Sequence, residues 1–196
     1  MLLVSKNIGP AGRKRHVFLC SNREGGYHLY ETGDFIIYGN EGVCKVEAVG
    51  IPDIPIMGKK RLYYTLLPQY QDGKIFAPVD TKTFMRHVIT KEKAEELIEE
   101  IPTVKAEIYE NTNMRFLSEH YQSFFESHKC RDLLKLVRDV YLKESDARER
   151  GKKLGQVDEK YMRRAEELLH GELSVALGIP KEEVKDYITK SVEGKN

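Results

Sequence analysis

Three residues in the second half of the chain carry side chains that could bind a metal ion: His120, His128 and Cys130. Imidazole and thiolate groups are common zinc ligands, but zinc sites need particular separations along the chain. Here a gap of eight residues (120 to 128) is followed by a gap of two (128 to 130), which is not a usual ligand spacing. We therefore predict no metal site and no cofactor.

Covalent catalysis would need other patterns, and the sequence has none of them. There is no glycine-rich phosphate loop, no nucleophile elbow and no pair of carboxylates on the ends of predicted strands. The most crowded glutamates are spaced like the solvated face of a helix, namely Glu95, Glu96, Glu99 and Glu100. We expect a protein that is not an enzyme and has no small-molecule substrate. The alternative is an enzyme of a kind that these patterns do not reveal.

The composition, 40% hydrophobic and 32% charged, is that of an ordinary soluble protein. No run approaches the roughly 20 apolar residues of a membrane span, and the first residues lack the continuous apolar stretch of a secretory signal. Cys20, Cys44 and Cys130 are odd in number and far apart, which is typical of reduced thiols. We expect a cytoplasmic protein that makes no membrane contact.

The elements that must position any functional residue change type near Thr90. Before it come short β-branched and aromatic runs, and after it apolar residues recur at helical spacing. We predict a β module at residues 29–89 and a helical domain at residues 90–192. Residues 1–28 are basic and aperiodic, so we predict a disordered extension or an upstream start, with a DNA-binding arm as the alternative.

The β module contains five predicted strands, at residues 35–38, 43–49, 62–67, 74–79 and 84–89. Alternation along residues 43–49 indicates that one face of the sheet is buried and the other is wet. Five short strands in about 60 residues predict a small, curled antiparallel sheet or barrel. Ile75 and Phe76 must point to opposite faces, so Phe76 is either a core residue or an interface residue.

The helical domain contains five predicted helices, each with an apolar face for a shared core. Candidate N-caps are Thr90 for the first helix, a residue between Asn111 and Asn113 for the second, and Asp158 for the fourth. The third helix runs from about residue 131 to residue 150. The predicted fold class is therefore α+β, with an all-α domain following the β module.

The net charge of +1 hides a positive stretch between two acidic ones. Residues 129–164 hold 12 Lys and Arg against 7 Asp and Glu, whereas residues 90–128 hold 4 against 9 and residues 165–196 hold 4 against 7. The cations singled out on the third helix and in the loop after it are Arg131, Lys135, Arg138, Lys152 and Lys153. Such a stretch either meets nucleic-acid phosphates or is a solvated helix face.

Motifs in both halves resemble the CarD family of bacterial transcription regulators. In the β module they are GDFIIY at residues 33–38, GVCKV at 42–46, YYTL at 63–66 and IFAPV at 75–79. In the helical domain they are LVRDVY at residues 136–141 and AEELLHGEL at residues 165–173. The β module also occurs in the transcription-repair coupling factor, whereas the helical domain follows it in CarD proteins but not in the coupling factor.

The resemblance implies a Tudor-like β-barrel that binds the β subunit of RNA polymerase. It also implies a helical domain that binds promoter DNA at the upstream edge of the bubble and modulates the stability of the open complex. The implied polymerase contacts are Val49, Pro52, Lys74 and Phe76, and relatives often carry basic residues where Pro52 and Phe76 stand. The alternative is a polymerase-binding adaptor that acts by protein contacts without significant DNA binding.

On the DNA side, the resemblance places Met114 where the family commonly has a tryptophan that wedges into the minor groove. This chain contains no tryptophan. An apolar methionine can still wedge a base step, so Asn113, Met114 and Arg115 are predicted to contact DNA together with the cations named above. The alternative is that Met114 is a packing residue of the first helical turn.

Overall fold

A computed structural model describes residues 30–52 and 61–193, together with the backbone of four short strands before residue 29. The chain divides into two compact units, residues 1–88 and residues 89–196. The four short strands form two antiparallel pairs, β1 (Val4–Lys6) with β2 (Arg15–Val17) and β3 (Cys20–Ser21) with β4 (Tyr27–His28). Most of residues 1–28 lie outside the described residues, so the disordered extension stays a prediction.

The first unit is built on a five-stranded antiparallel sheet with the strand order β8-β7-β6-β5-β9. Its strands are β5 (Phe35–Tyr38), β6 (Gly42–Gly50), β7 (Tyr63–Pro68), β8 (Ile75–Pro78) and β9 (Met85–His87). The edge strands β8 and β9 do not pair with each other, so the sheet is open and the predicted barrel is wrong. Alternation in a sequence shows which face is buried, but closure depends on strand tilt and stagger, which it does not encode.

One face of this sheet forms the core of the first unit, as the period of two requires. The buried residues on it come from all five strands and from the segment before β5: Tyr30, Ile36, Cys44, Val46, Tyr64, Leu66, Ala77 and Met85. A bulge between Val46 and Ala48 shifts the register of β6 against β7. Bulges of this kind bend a strand and increase its twist, which re-aims the side chains that follow.

The second unit consists of five helices around one core. They are α1 (Lys91–Glu100), α2 (Met114–Glu126), α3 (Cys130–Glu149), α4 (Gln156–Leu177) and α5 (Val184–Glu193), with short 3-10 turns at Ile101–Thr103 and Lys181–Glu183. Leu136, Val140, Ala165, Leu173 and Val184 are among its fully buried core residues. The predicted α+β class, with five strands followed by five helices, is confirmed.

Local signals set most of the helix ends. Thr90 caps α1 by accepting from the Lys93 amide, and Asn113 caps α2 by accepting from the Arg115 amide. Gly178 ends α4 in the left-handed conformation, at φ 68°. The prediction that Asp158 caps α4 is wrong, because that helix begins at Gln156 after Gly155. Within the described parts of the chain, no helix combines the length and apolar composition needed to cross a bilayer.

Candidate functional site

The four residues predicted to face polymerase lie in or next to the sheet of the first unit. Val49, near the end of β6, stands opposite Tyr64 and packs against the core. Pro52 comes two residues after the end of β6, at the border of residues 53–60, which lie outside the described residues. Lys74 directly precedes edge strand β8, and Phe76 lies within it. The structure therefore brings Lys74 and Phe76 together at one edge of the sheet.

Phe76 points away from the core of the first unit. Its neighbours Ile75 and Ala77 pack on the core side, so alternation directs Phe76 to the opposite face, where it is half-buried. Just before it in the chain, the exposed Lys74 ammonium donates to Glu47 Oε2 at 2.6 Å. Of the two interpretations of Phe76, the structure shows the one in which it is not a core residue. An aromatic ring and an ion pair therefore mark this edge.

The start of α2 presents apolar side chains to solvent. Met114 and Phe116 are 57% and 52% exposed, whereas Leu117 is buried. Between them Arg115, with 82% of its side chain exposed, pairs with Glu119 at 2.8 Å. A packing role for Met114 does not fit such exposure. Phe116 is not among the predicted site residues. The sequence did contain a signal for its exposure, since Phe116 does not lie on the apolar stripe that starts at Leu117.

The basic face of α3 is matched by acceptors at the last residue of α1 and in the segment that follows it. Each of its three predicted cations has a partner there: Arg131 pairs with Glu100 at 3.2 Å, Lys135 pairs with Glu107 at 3.6 Å, and Arg138 donates to the backbone carbonyl of Ile101. The predicted stripe therefore exists as a helix face, and its charge is partly neutralised within the chain.

Lys152 and Lys153 lie in the exposed loop between α3 and α4. Gly151 starts this loop with a φ of 66°, a left-handed conformation that glycine adopts without strain. Among the described residues, no carboxylate forms an ion pair with either lysine. These two cations thus differ from those of the α3 face in being open to an external anion.

Three of the helices are joined by a buried polar cluster that consists of Tyr121, Lys143 and Asp158. Asp158 Oδ1 accepts from the Tyr121 hydroxyl at 2.6 Å and from Lys143 Nζ at 2.8 Å. The Lys143 ammonium also donates to the backbone carbonyl of Tyr109 at 3.3 Å. Because Tyr121 lies on α2, Lys143 on α3 and Asp158 on α4, the cluster fixes the helices that carry the exposed residues described above. Sequence reasoning missed it by assigning Asp158 to a cap.

Burial changes the titration of two side chains at this cluster. Burial raises the pKa of Tyr121, and the hydrogen bond to Asp158 raises it further. The hydroxyl therefore stays protonated and acts as a donor. His120 stacks on Tyr109 with ring centroids 3.9 Å apart. Burial lowers the pKa of His120, and the nearby Lys135 and Lys143 lower it further, against the opposing effect of Asp139. The lowered pKa favours the neutral imidazole, which packs against the Tyr109 ring.

The three possible metal ligands are engaged in other ways or lie apart. His120 stacks on Tyr109, and the Cys130 thiol donates to the buried Glu172 Oε2 at 2.9 Å. His128, just before α3, has a positive φ of 53°. In the part of the chain that the structure describes, no group of His, Cys, Asp and Glu side chains is arranged to hold a metal ion.

A comparison with models of protein families gives a match that falls on the first unit. Residues 30–89 match the family model described as the CarD-like/TRCF RID domain, where RID denotes an RNA-polymerase-interacting domain. No curated protein matches the chain. The matched residues contain all five strands of the open sheet and the edge marked by Lys74 and Phe76. The amino-terminal sheet of this chain is therefore a CarD-like/TRCF RID module, a module of the RNA-polymerase-interacting kind.

Proposed function

We propose that this protein is a bacterial, cytoplasmic transcription regulator that bridges RNA polymerase and promoter DNA and is not an enzyme. In this proposal the β module binds the β subunit of polymerase. The helical unit binds DNA at the upstream edge of the bubble and modulates the stability of the open complex. The observation that carries it is the RID match over residues 30–89, followed in the same chain by a helical unit with a basic face.

The polymerase contact is supported by the edge strand β8. In the described sheet β8 pairs only with β7, so its other side presents backbone donors and acceptors that a strand of the partner could use. Lys74 and Phe76 add a cation and an aromatic ring at the same edge. Main-chain pairing would supply affinity there, and these side chains would supply specificity.

The DNA contact is supported by the first turn of α2. Inserted apolar side chains unstack a base step and widen the minor groove, and Met114 and Phe116 are both exposed enough to do so. Arg115 lies between them, and its exposed ion pair with Glu119 can exchange for a phosphate. A protein that contacts the opened DNA in this way binds the open complex better than the closed complex, and so shifts the population toward it.

The lifetime of the open complex tests this proposal. The full chain, Met114→Ala and Met114→Leu are compared on a ribosomal RNA promoter with cognate polymerase. We expect the wild type to change the lifetime, Met114→Ala to lose most of that effect, and Met114→Leu to keep it, because leucine retains an apolar wedge. Equal behaviour of the wild type and Met114→Ala would remove the wedge from the mechanism, and no effect of any form would remove the proposed regulation.

A second candidate function is an adaptor that binds polymerase without significant DNA binding. The pairing of Arg131 with Glu100 and of Lys135 with Glu107 favours it, because these cations are partly neutralised. A salt titration separates the two functions. A DNA-binding regulator loses DNA affinity steeply as salt rises, with a slope of about −0.9 for each phosphate contact, whereas the adaptor has no DNA affinity to lose while still binding polymerase.

A further inference from the structure

The segment at residues 100–107, here called the acidic strap, lies along the basic face of α3 and is held there by backbone contacts. The Arg138 guanidinium donates to the carbonyl of Ile101, and the Glu107 amide donates to Asp139 Oδ1 at 2.7 Å. Asp139 is only 6% exposed, so this second contact is shielded from water. Val104 packs against the core between these two contacts. The strap is therefore a fixed part of the second unit.

Two carboxylates of the strap meet two cations that the proposed function assigns to DNA. Glu100 lies 3.2 Å from Arg131, and Glu107 lies 3.6 Å from Lys135. Both pairs are open to solvent, since the side chains of Arg131 and Glu107 are 68% and 75% exposed. Exposed pairs of this kind add little to stability and exchange partners readily.

The strap backbone and its carboxylates thus have separable roles. The anchors at Arg138 and Asp139 use the carbonyl of Ile101 and the amide of Glu107, and neither of them involves a strap carboxylate. Stability therefore gives no strong reason for acidic side chains at positions 100 and 107. Their position against the basic face makes them competitors for any anion that approaches it.

We propose that Glu100 and Glu107 are internal competitors for DNA phosphate that lower the affinity of the α3 face and weaken its dependence on salt. This inference rests on the proposed DNA-binding function. A phosphate that reaches Arg131 or Lys135 must replace a carboxylate already in place, and the displaced carboxylate then repels the DNA. The strap therefore keeps DNA binding by the isolated protein weak. Strong DNA binding then requires polymerase, which tethers the protein next to the DNA.

The test is the affinity of the full chain for a short forked DNA duplex, measured across a range of salt concentrations. We expect Glu100→Gln with Glu107→Gln to lower the Kd about threefold to tenfold at low salt and to steepen its salt dependence. The matched control is Glu182→Gln with Glu183→Gln, which removes two exposed charges from the 3-10 turn that precedes α5. The control is expected to change the Kd less than twofold.

A second arm assigns the gain to the pairs themselves. The gain from Glu107→Gln should disappear when Lys135 is also changed to Ala, and the gain from Glu100→Gln should disappear with Arg131→Ala. The strap proposal is overturned if the gain in DNA affinity equals that of the control variant or survives loss of the cation. The proposed DNA-binding function is not affected by that result, provided that the wild type binds DNA. DNA binding by none of the forms, even at low salt, overturns the proposed DNA-binding function and the strap proposal with it.

Discussion

Two sets of ion pairs in the helical unit use the same chemistry in opposite surroundings. In the buried polar cluster the side chains of Lys143 and Asp158 are 17% and 5% exposed. Where the acidic strap meets α3, the side chains of Arg131 and Glu100 are 68% and 42% exposed. Water and salt screen the second pair and leave the first nearly unscreened. Burial, and not residue type, therefore decides whether an ion pair stabilises the fold or remains exchangeable.

The largest effect is expected where the buried pair is broken. Asp158→Ala leaves the Lys143 ammonium and the Tyr121 hydroxyl without their shared acceptor. The free energy of unfolding of the helical unit should fall by about 3 kcal/mol. Urea denaturation followed by circular dichroism at helix wavelengths measures it. The matched control is Asp146→Ala, which removes the partly exposed partner of Arg150 and should lower the same quantity by less than about 0.5 kcal/mol.

A third carboxylate shows whether burial has the same consequence when the donors are neutral groups. Glu172 is 2% exposed and accepts from the Ile89 amide at 3.0 Å and from the Cys130 thiol at 2.9 Å. Glu172→Ala removes the acceptor that these two donors share and should lower the free energy of unfolding by about 2 kcal/mol. The measurement is the same urea denaturation. A loss no larger than that of Asp146→Ala would contradict the distinction drawn here between buried and exposed carboxylates.

Loss of the exposed ion pairs is expected to change DNA binding but not the stability of the fold. Arg131→Ala with Lys135→Ala should change the free energy of unfolding by less than about 1 kcal/mol, because both pairs are screened. The same double variant should weaken DNA binding and reduce the slope of log Kd against log salt by up to about 2. A stability loss as large as that of Asp158→Ala would mean that the strap pairs hold the fold after all.

The smallest effect expected is a pH dependence of the helical unit. Burial lowers the pKa of His170 below its ordinary value of 6.5, and Lys181 and Lys185 lower it further. Burial likewise lowers the pKa of His120. Since the unfolded chain then binds protons more readily than the folded chain, stability is fully present above pH 6.5 and is lost as pH falls toward the folded pKa values.

Thermal denaturation between about pH 8 and about pH 6 measures this dependence. His170→Gln removes one of the two titrating groups, so the melting temperature of this variant should change less with pH than that of the wild type. Burial raises the pKa values of Asp139 and Glu166, so their effect on stability has the opposite sign: it favours the folded state as pH falls. An unchanged pH dependence in the variant would contradict the assignment to His170.

Much of the fold follows from patterns that neighbours in sequence determine. The alternation along β6 and the helical spacing after Thr90 depend on residues a few positions apart, and so do the caps at Thr90 and Asn113. The exposed Met114 was also a predicted site residue. The sequence alone does not assign Phe76 to a face of the sheet, because its face depends on which side of β8 meets the core.

The order of a β module and a helical domain, the types of their elements and the positions of the charges follow from local patterns in the sequence. Three other features depend on long-range packing: the sheet stays open, Asp158 joins Tyr121 and Lys143 in the interior, and the cations of α3 meet the acidic strap. The physical reason is distance along the chain. Glu100 and Arg131 are 31 positions apart (131 − 100), and a pairing over such a separation is set by how whole elements pack, which local propensity does not encode.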